Sequence, residues 1–146
     1  MRQIVIDTEF TDLYADDRKP ISIALVDVET GESCYVEVDG WEQWDCNDFV
    51  IEHVLPQLAG PSLTYAQASD LLLDFLEARA PFQLMSDAPM YDFDMLRQVL
   101  GTQCPVKYAS HLIHLEGMEE EGEDRPHHAL LDAQILAAKQ KTRHFG

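Results

Sequence analysis

Two helical segments of this chain each carry an aspartate in the middle of an apolar stripe, which restricts what can pack against them. In Pro89–Leu100, set Asp92 at zero and advance about 100° per residue. Phe93, Met95, Leu96, Val99 and Leu100 then fall at about +100°, −60°, +40°, −20° and +80°. Asp92 therefore shares the buried face, while Asp94 points to solvent with Arg97 and Gln98. In the last helical segment, about His128 to Thr142, Ala129, Ile135 and Leu136 lie at about +60°, −60° and +40° from Asp132. An unpaired carboxylate on a buried face is costly, so Asp92 has to meet a cation, and Asp132 either does the same or is a satisfied core acid. A third acidic element, Asp7-Thr8-Glu9, ends the apolar run Gln3-Ile4-Val5-Ile6. Residues two apart on a strand share a face, so Asp7 and Glu9 repel each other unless a cation lies between them. A fold that unites these three elements satisfies all of them at once.

The rest of the pattern describes one α/β domain. Pro20 introduces a second strand over Ile21–Val26, and Glu29-Thr30-Gly31-Glu32 turns the chain into a third over Cys34–Val38. Asn47 caps a predicted helix over Asp48–Leu55. A longer one is expected over Tyr65–Ala78, with Leu71, Leu72, Phe75 and Leu76 on a common side. Phe82–Met85 reads as a fourth strand, and Pro89 opens the Asp92 helix, with Asp87 as its expected cap. Tyr108–Leu115 suits either helix or strand, and Glu116–Asp124 reads as an acidic solvated loop. The 146 residues are 46% apolar, enough for a core and unlike an acidic disordered tail. No apolar run reaches membrane-helix length, and the start lacks a signal-peptide pattern. Cys34, Cys46 and Cys104 are odd in number and widely spaced, as expected of reduced, mostly buried thiols in a cytoplasmic protein.

Four carboxylates converging on one place form a hard, oxygen-only donor set, which favours Mg²⁺ or Mn²⁺ over Zn²⁺. His111 and His114, three apart and without cysteine partners, make a poor zinc signature.

Asp7-x-Glu9, Tyr91-Asp92 and His127-x4-Asp132, in this order and at these separations, resemble the three motifs of the DEDDh 3′–5′ exonucleases. Asp-Thr-Glu-Phe at residues 7–10 and His-x-Ala-Leu-Leu-Asp-Ala at residues 127–133 are the most specific matches. His53-Val54-Leu55-Pro56-x-Leu58, with Trp44 upstream, is similar to a small exoribonuclease branch typified by mycobacterial RNase AS. The second motif departs from the family, with Ala88 in place of an Asn and Tyr91 in place of the commoner Phe. The resemblance implies a ribonuclease H-like fold, a mixed central sheet flanked by helices. It also implies two Mg²⁺ or Mn²⁺ ions held by Asp7, Glu9, Asp92 and Asp132, release of nucleoside 5′-monophosphates, and His127 as general base. Helical arithmetic alone instead puts His128 one turn from Asp132, at about −40°, and His127 on the far side. His127 suits the role if it precedes the helix, and Pro126 favours such a non-helical start.

Substrate contacts are expected at Thr8, Phe10, Tyr91 and Arg125. Thr8 offers its backbone to the terminal sugar by resemblance, Phe10 stacks on a terminal base or packs in the core, and Arg125 meets a phosphate. Trp41 and Trp44 are expected to be partly buried. Lys139, Lys141, Arg143 and His144 complement the dipole at the end of the last helix. The expected partner is the 3′ end of single-stranded RNA or a short oligonucleotide, and relatives are often homodimers. A DNA-editing exonuclease subunit and a silent acidic interaction module are the alternatives. The net charge of −17 excludes a broad electrostatic grip on long duplexes, and leaves room for a small substrate held by metals and stacking.

Overall fold

The computed structural model describes residues 1–103, 112–115 and 125–145. Six strands are found among them: β1 (Arg2–Phe10), β2 (Pro20–Asp27), β3 (Ser33–Val38), β4 (Ser62–Leu63), β5 (Phe82–Ser86) and β6 (Leu112–His114). The helices are α1 (Asp48–His53), α2 (Tyr65–Glu77), α3 (Pro89–Leu100) and α4 (Ala129–Phe145). The sheet order is β4-β3-β2-β1-β5-β6. β2 runs antiparallel to both β1 and β3, whereas β1–β5, β5–β6 and β3–β4 are parallel pairs. This is the α/β architecture with a mixed central sheet that the resemblance implies. No helix among the described residues is long and apolar enough to cross a membrane.

Strand alternation divides the core between the two faces of the sheet. Ile4 and Ile6 join Ile23, Leu25, Val36 and Leu84 under Leu72 and Leu76 of α2 and Leu96 and Val99 of α3. Val5 faces the other way, with Ala24, Val26 and Met85, under α4. Each fully buried aliphatic side chain contributes about 1.5–3 kcal/mol. Ala129, Ala133 and Ala137 recur every four residues and are all buried, so small side chains let α4 lie close on the sheet. A third cluster, Ile21 with Val50 and Val54, anchors α1 beside the sheet.

Several expectations need correction. α1 stops at His53 rather than Leu55, because Pro56 has no N–H to bond back to the Glu52 carbonyl, and a 3₁₀ turn over Leu55–Gln57 follows. Leu71 is 49% exposed: it lies about 100° round from Leu72, beyond the edge of the stripe. Trp44 is 83% exposed, while Trp41 is half-buried and donates Nε1 to the Val38 carbonyl at 2.8 Å. Cys34 and Cys46 are free and half-buried, less covered than expected. Residue Ala88, not Asp87, holds the cap position of α3, and makes no side-chain cap bond. The ambiguous Tyr108–Leu115 stretch contains β6, while its part over 108–111, Cys104, His111 and the loop 116–124 lie outside the described residues.

Candidate active site

Continuing the alternation along β1 puts Asp7 and Glu9 on the α4 side and Thr8 on the α3 side. Asp92 lies in the first turn of α3 and Asp132 in the first turn of α4. The carboxyl end of β1 is thus flanked, on opposite faces, by two positive helix ends that favour acids. β5 runs parallel beside it and ends at Ser86, next to Asp87. Crevices beyond the carboxyl ends of parallel strands are where open α/β sheets bind ligands.

The crevice here is a cleft of about 590 Å³. Asp7, Glu9, Asp92, Asp132 and His127 all line it, as do Thr8, Phe10, Tyr91 and Arg125. Asp7, Glu9 and Asp132 bring carboxylate oxygens within 4.8 Å of one another, and so do Asp7, Asp87 and Asp92. Asp7 belongs to both groups. The carboxylates of Asp7, Asp92, Asp132 and Asp87 are buried, and that of Glu9 is half-buried.

Each acid is held differently. Asp92 accepts from Thr8 Oγ1 at 2.7 Å and from Ser86 Oγ at 2.5 Å, so both its oxygens are oriented by hydroxyls. Ser86 in turn accepts from the Ala88 N–H at 2.9 Å. Arg125 donates to Asp87 at 3.0 Å, which ties the strand end to the approach to α4. Asp132 Oδ1 is buried with no hydrogen-bond partner among the described residues. An orphaned carboxylate oxygen beside two further carboxylates, all hard donors, fits a divalent cation such as Mg²⁺ or Mn²⁺.

The electrostatics show the same shortage of positive charge. Burial, then Asp92 and Glu9, pushes Asp7 well above the ordinary carboxylate range. Burial and Asp132 raise Glu9 to about 8, against the pull of Arg125. Asp92 is raised to about 7 by burial, which outweighs the hydroxyls of Ser86 and Thr8. Asp132 is raised to about 6, again by burial and in spite of Arg125. Burial opposes the charge on Arg125, yet Asp7, Asp87 and Asp132 together hold its guanidinium more firmly protonated. His127 is shifted down by burial, then by its neighbours Arg125 and His53, so it is neutral at pH 7.

A stability consequence follows from these signs. A carboxyl raised in the folded state is bound more tightly as the acid there. Its stabilising contribution is complete below the unfolded value and is lost as pH rises through the folded one. For Glu9 that window runs from 4.5 to about 8, and for Asp92 from 3.8 to about 7. The metal-free protein is therefore expected to melt at a lower temperature near pH 8 than near pH 5. Saturating Mg²⁺ should restore the melting temperature at the higher pH and do little at the lower. Equal melting temperatures across the range would show carboxylates that ionise independently.

Two aromatic rings complete the cleft. Phe10 and Tyr91 stack with centroids 5.8 Å apart and planes at 13°, and the Arg18 guanidinium lies 4.9 Å from the Tyr91 centroid. Phe10 thus belongs to a stacked aromatic wall rather than to the central core. His127 has φ +58° and precedes α4, and its ring meets the edge of Phe49 at 4.9 Å. His128 does not line the cleft; its ring stacks on Tyr35 at 4.9 Å. Ser86 and the Asp87–Arg125 pair went unread in the sequence. Their signal was the change from apolar to polar at the end of Phe82–Met85, the same change that marks Asp7 at the end of β1.

No protein-family model matches the sequence, and comparison with curated proteins finds no match. Among solved structures, the fold is shared with one described as the crystal structure of a full-length 3′-exonuclease. The TM-score is 0.53 at 14% identity, over 97% of this chain and 81% of that one. The chain therefore shares the α/β fold of that structure, and carries a buried carboxylate cluster at the carboxyl ends of its central strands.

Proposed function

We propose that this chain is a divalent-metal-dependent 3′–5′ exonuclease of the DEDDh type. It removes nucleotides one at a time from the 3′ end of single-stranded or short RNA and releases nucleoside 5′-monophosphates. The observation that carries the reading is the meeting of Asp7, Glu9 and Asp132 within 4.8 Å, with one Asp132 oxygen unpartnered among the described residues, in a cleft walled by stacked rings. The fold shared with a 3′-exonuclease supports it.

Asp7, Glu9, Asp92 and Asp132 would hold two Mg²⁺ or Mn²⁺ ions. When bound, such ions neutralise the charge that builds up at phosphorus during an in-line displacement. Thr8 and Ser86 fix the carboxylate plane of Asp92, which leaves it little freedom to rotate away from the cleft. His127, neutral at working pH, takes the proton of the attacking water as its oxygen bonds to phosphorus and the bond to the neighbouring 3′ oxygen breaks. Arg125 reaches a phosphate oxygen from its place beside Asp87. Phe10 and Tyr91 offer a face on which the terminal base stacks, an interaction tolerant of sequence. Short strands are favoured because a chain of net charge −17 cannot grip a long phosphate backbone, and RNA because His53-Val54-Leu55-Pro56 resembles the small exoribonuclease branch.

The test is incubation of 5′-labelled single-stranded RNA and matched DNA with the protein and Mn²⁺ or Mg²⁺. A ladder shortening stepwise from the 3′ end, faster on RNA and abolished by EDTA, is the expected result. Binding without shortening overturns the proposal, and faster shortening of DNA overturns its substrate assignment.

A further inference from the structure

His127 holds a backbone conformation that non-glycine residues seldom adopt, at φ +58°, and it lies outside the helix that follows. Its own segment has no regular structure to keep it there, so contacts from elsewhere must do so. Across from it, α1 and the 3₁₀ turn present Phe49, His53 and Gln57, spaced four apart and therefore in one row. The neighbouring row, Val50 and Val54, is buried on Ile21, so the support is anchored in the core.

Gln57 makes the decisive contacts. Its side-chain amide donates to the carbonyl of Pro126 at 2.7 Å and to that of His53 at 2.8 Å, and reaches the His127 carbonyl at 3.3 Å. One N–H closes the end of α1, and the other is shared by the two carbonyls that bracket the His127 backbone. Phe49 sets its ring edge against the His127 imidazole at 86°, and packs on His53 at 4.7 Å between centroids. The His53-Val54-Leu55-Pro56 motif thus has a structural purpose: it delivers Gln57 to a loop 69 residues further along the chain.

We propose that Gln57 is the positioning residue for His127, clamping the Pro126-His127 backbone so that the imidazole stands over the carboxylates. This rests on the reading of His127 as the proton acceptor. Gln57→Leu keeps the bulk and removes both donors. It is expected to lower kcat about 10- to 100-fold with KM and Mn²⁺ affinity unchanged. In a His127→Ala background the same change should cost nothing further, because there is no ring left to place. Gln57→Asn, which withdraws the amide by one methylene, should give the same pattern and serves if the Leu variant fails to fold. The His127 ring resonances, assigned by their loss in His127→Ala, should shift or broaden in both Gln57 variants. Equal kcat losses in the two backgrounds, or unchanged ring resonances, overturn the proposal. If the wild-type protein shortens no oligonucleotide, the proposed function falls, while the ring resonances still decide whether Gln57 orders His127.

Discussion

Asp7→Asn is expected to abolish turnover while making the metal-free protein more stable. Asp7 is the carboxylate shared by both acidic groups, so its loss removes a donor from each at once. A fall in kcat of at least about 10³-fold is expected, since loss of a single charge-stabilising donor in an active site already costs 10²–10³. The opposite effect on stability has the same origin. Asp7 is buried, and Asp92 and Glu9 crowd it with like charge. An amide of the same shape removes that repulsion and donates to the acids that remain. A gain of about 1 kcal/mol or more corresponds to a rise of about 4 °C in Tm for a chain of this size. The gain should be larger near pH 8 than near pH 5, because burial, Asp92 and Glu9 hold the Asp7 carboxyl above the ordinary range and disfavour the ionised form that the amide replaces. Thermal melts of both proteins in EDTA at the two pH values check this. A lower Tm for Asp7→Asn near pH 8 would show that Asp7 has a structural role and no strain to relieve. Added Mg²⁺ should raise the Tm of wild type and leave that of Asp7→Asn nearly unchanged. Trading stability for a functional site in this way is common where catalysis needs a strained arrangement.

The main outline of fold and cleft was legible because it rests on local periodicity. Alternation along Ile4–Glu9 shows that Asp7 and Glu9 share a face, and the helical stripes place Asp92 and Asp132 inward without knowledge of what they meet. The burial of Asp92 and Asp132 follows from those stripes. What remained illegible depends on pairs distant in sequence. Arg125 meets Asp87 across 38 residues, and Gln57 meets Pro126 across 69. Nothing in a window of ten residues distinguishes Gln57 from any surface glutamine. Asp87 illustrates a local rule that lost to a distant partner. Its place before Pro89 suits a helix cap, but a buried acid gains more from a guanidinium than from a terminal N–H. Thr8 is a milder case: its side chain, given no role in the sequence reading, donates to Asp92, because alternation turns it to the α3 face. Two-residue β4 has no readable pattern at all, since it exists only as an edge pairing with β3.

His127→Ala should lower kcat about 10²- to 10⁴-fold, the range for loss of a general base. His128→Ala should leave kcat within about threefold of wild type and show its cost in stability instead. Helical arithmetic placed His128 toward the site because it assumed that the helix extends back through both histidines. The positive φ at His127 breaks that assumption and brings its ring to the cleft, while His128 is left to stack on Tyr35 and to open α4 through its carbonyl, which accepts from the Asp132 N–H at 2.9 Å. The two rings thus lie in different environments, one lining the cleft and one packed on a strand side chain. The pH profile separates them further. Burial, with Arg125 and His53, lowers His127 from its ordinary 6.5. A base must be neutral to accept a proton, so with metal saturating, kcat should hold constant above about pH 6.5 and fall only at more acid pH. That acid limb should disappear from the residual activity of His127→Ala and persist in His128→Ala. If instead His128→Ala alone abolishes turnover, the proton acceptor is His128, and the ring seen against Tyr35 has to leave its stack to reach the carboxylates.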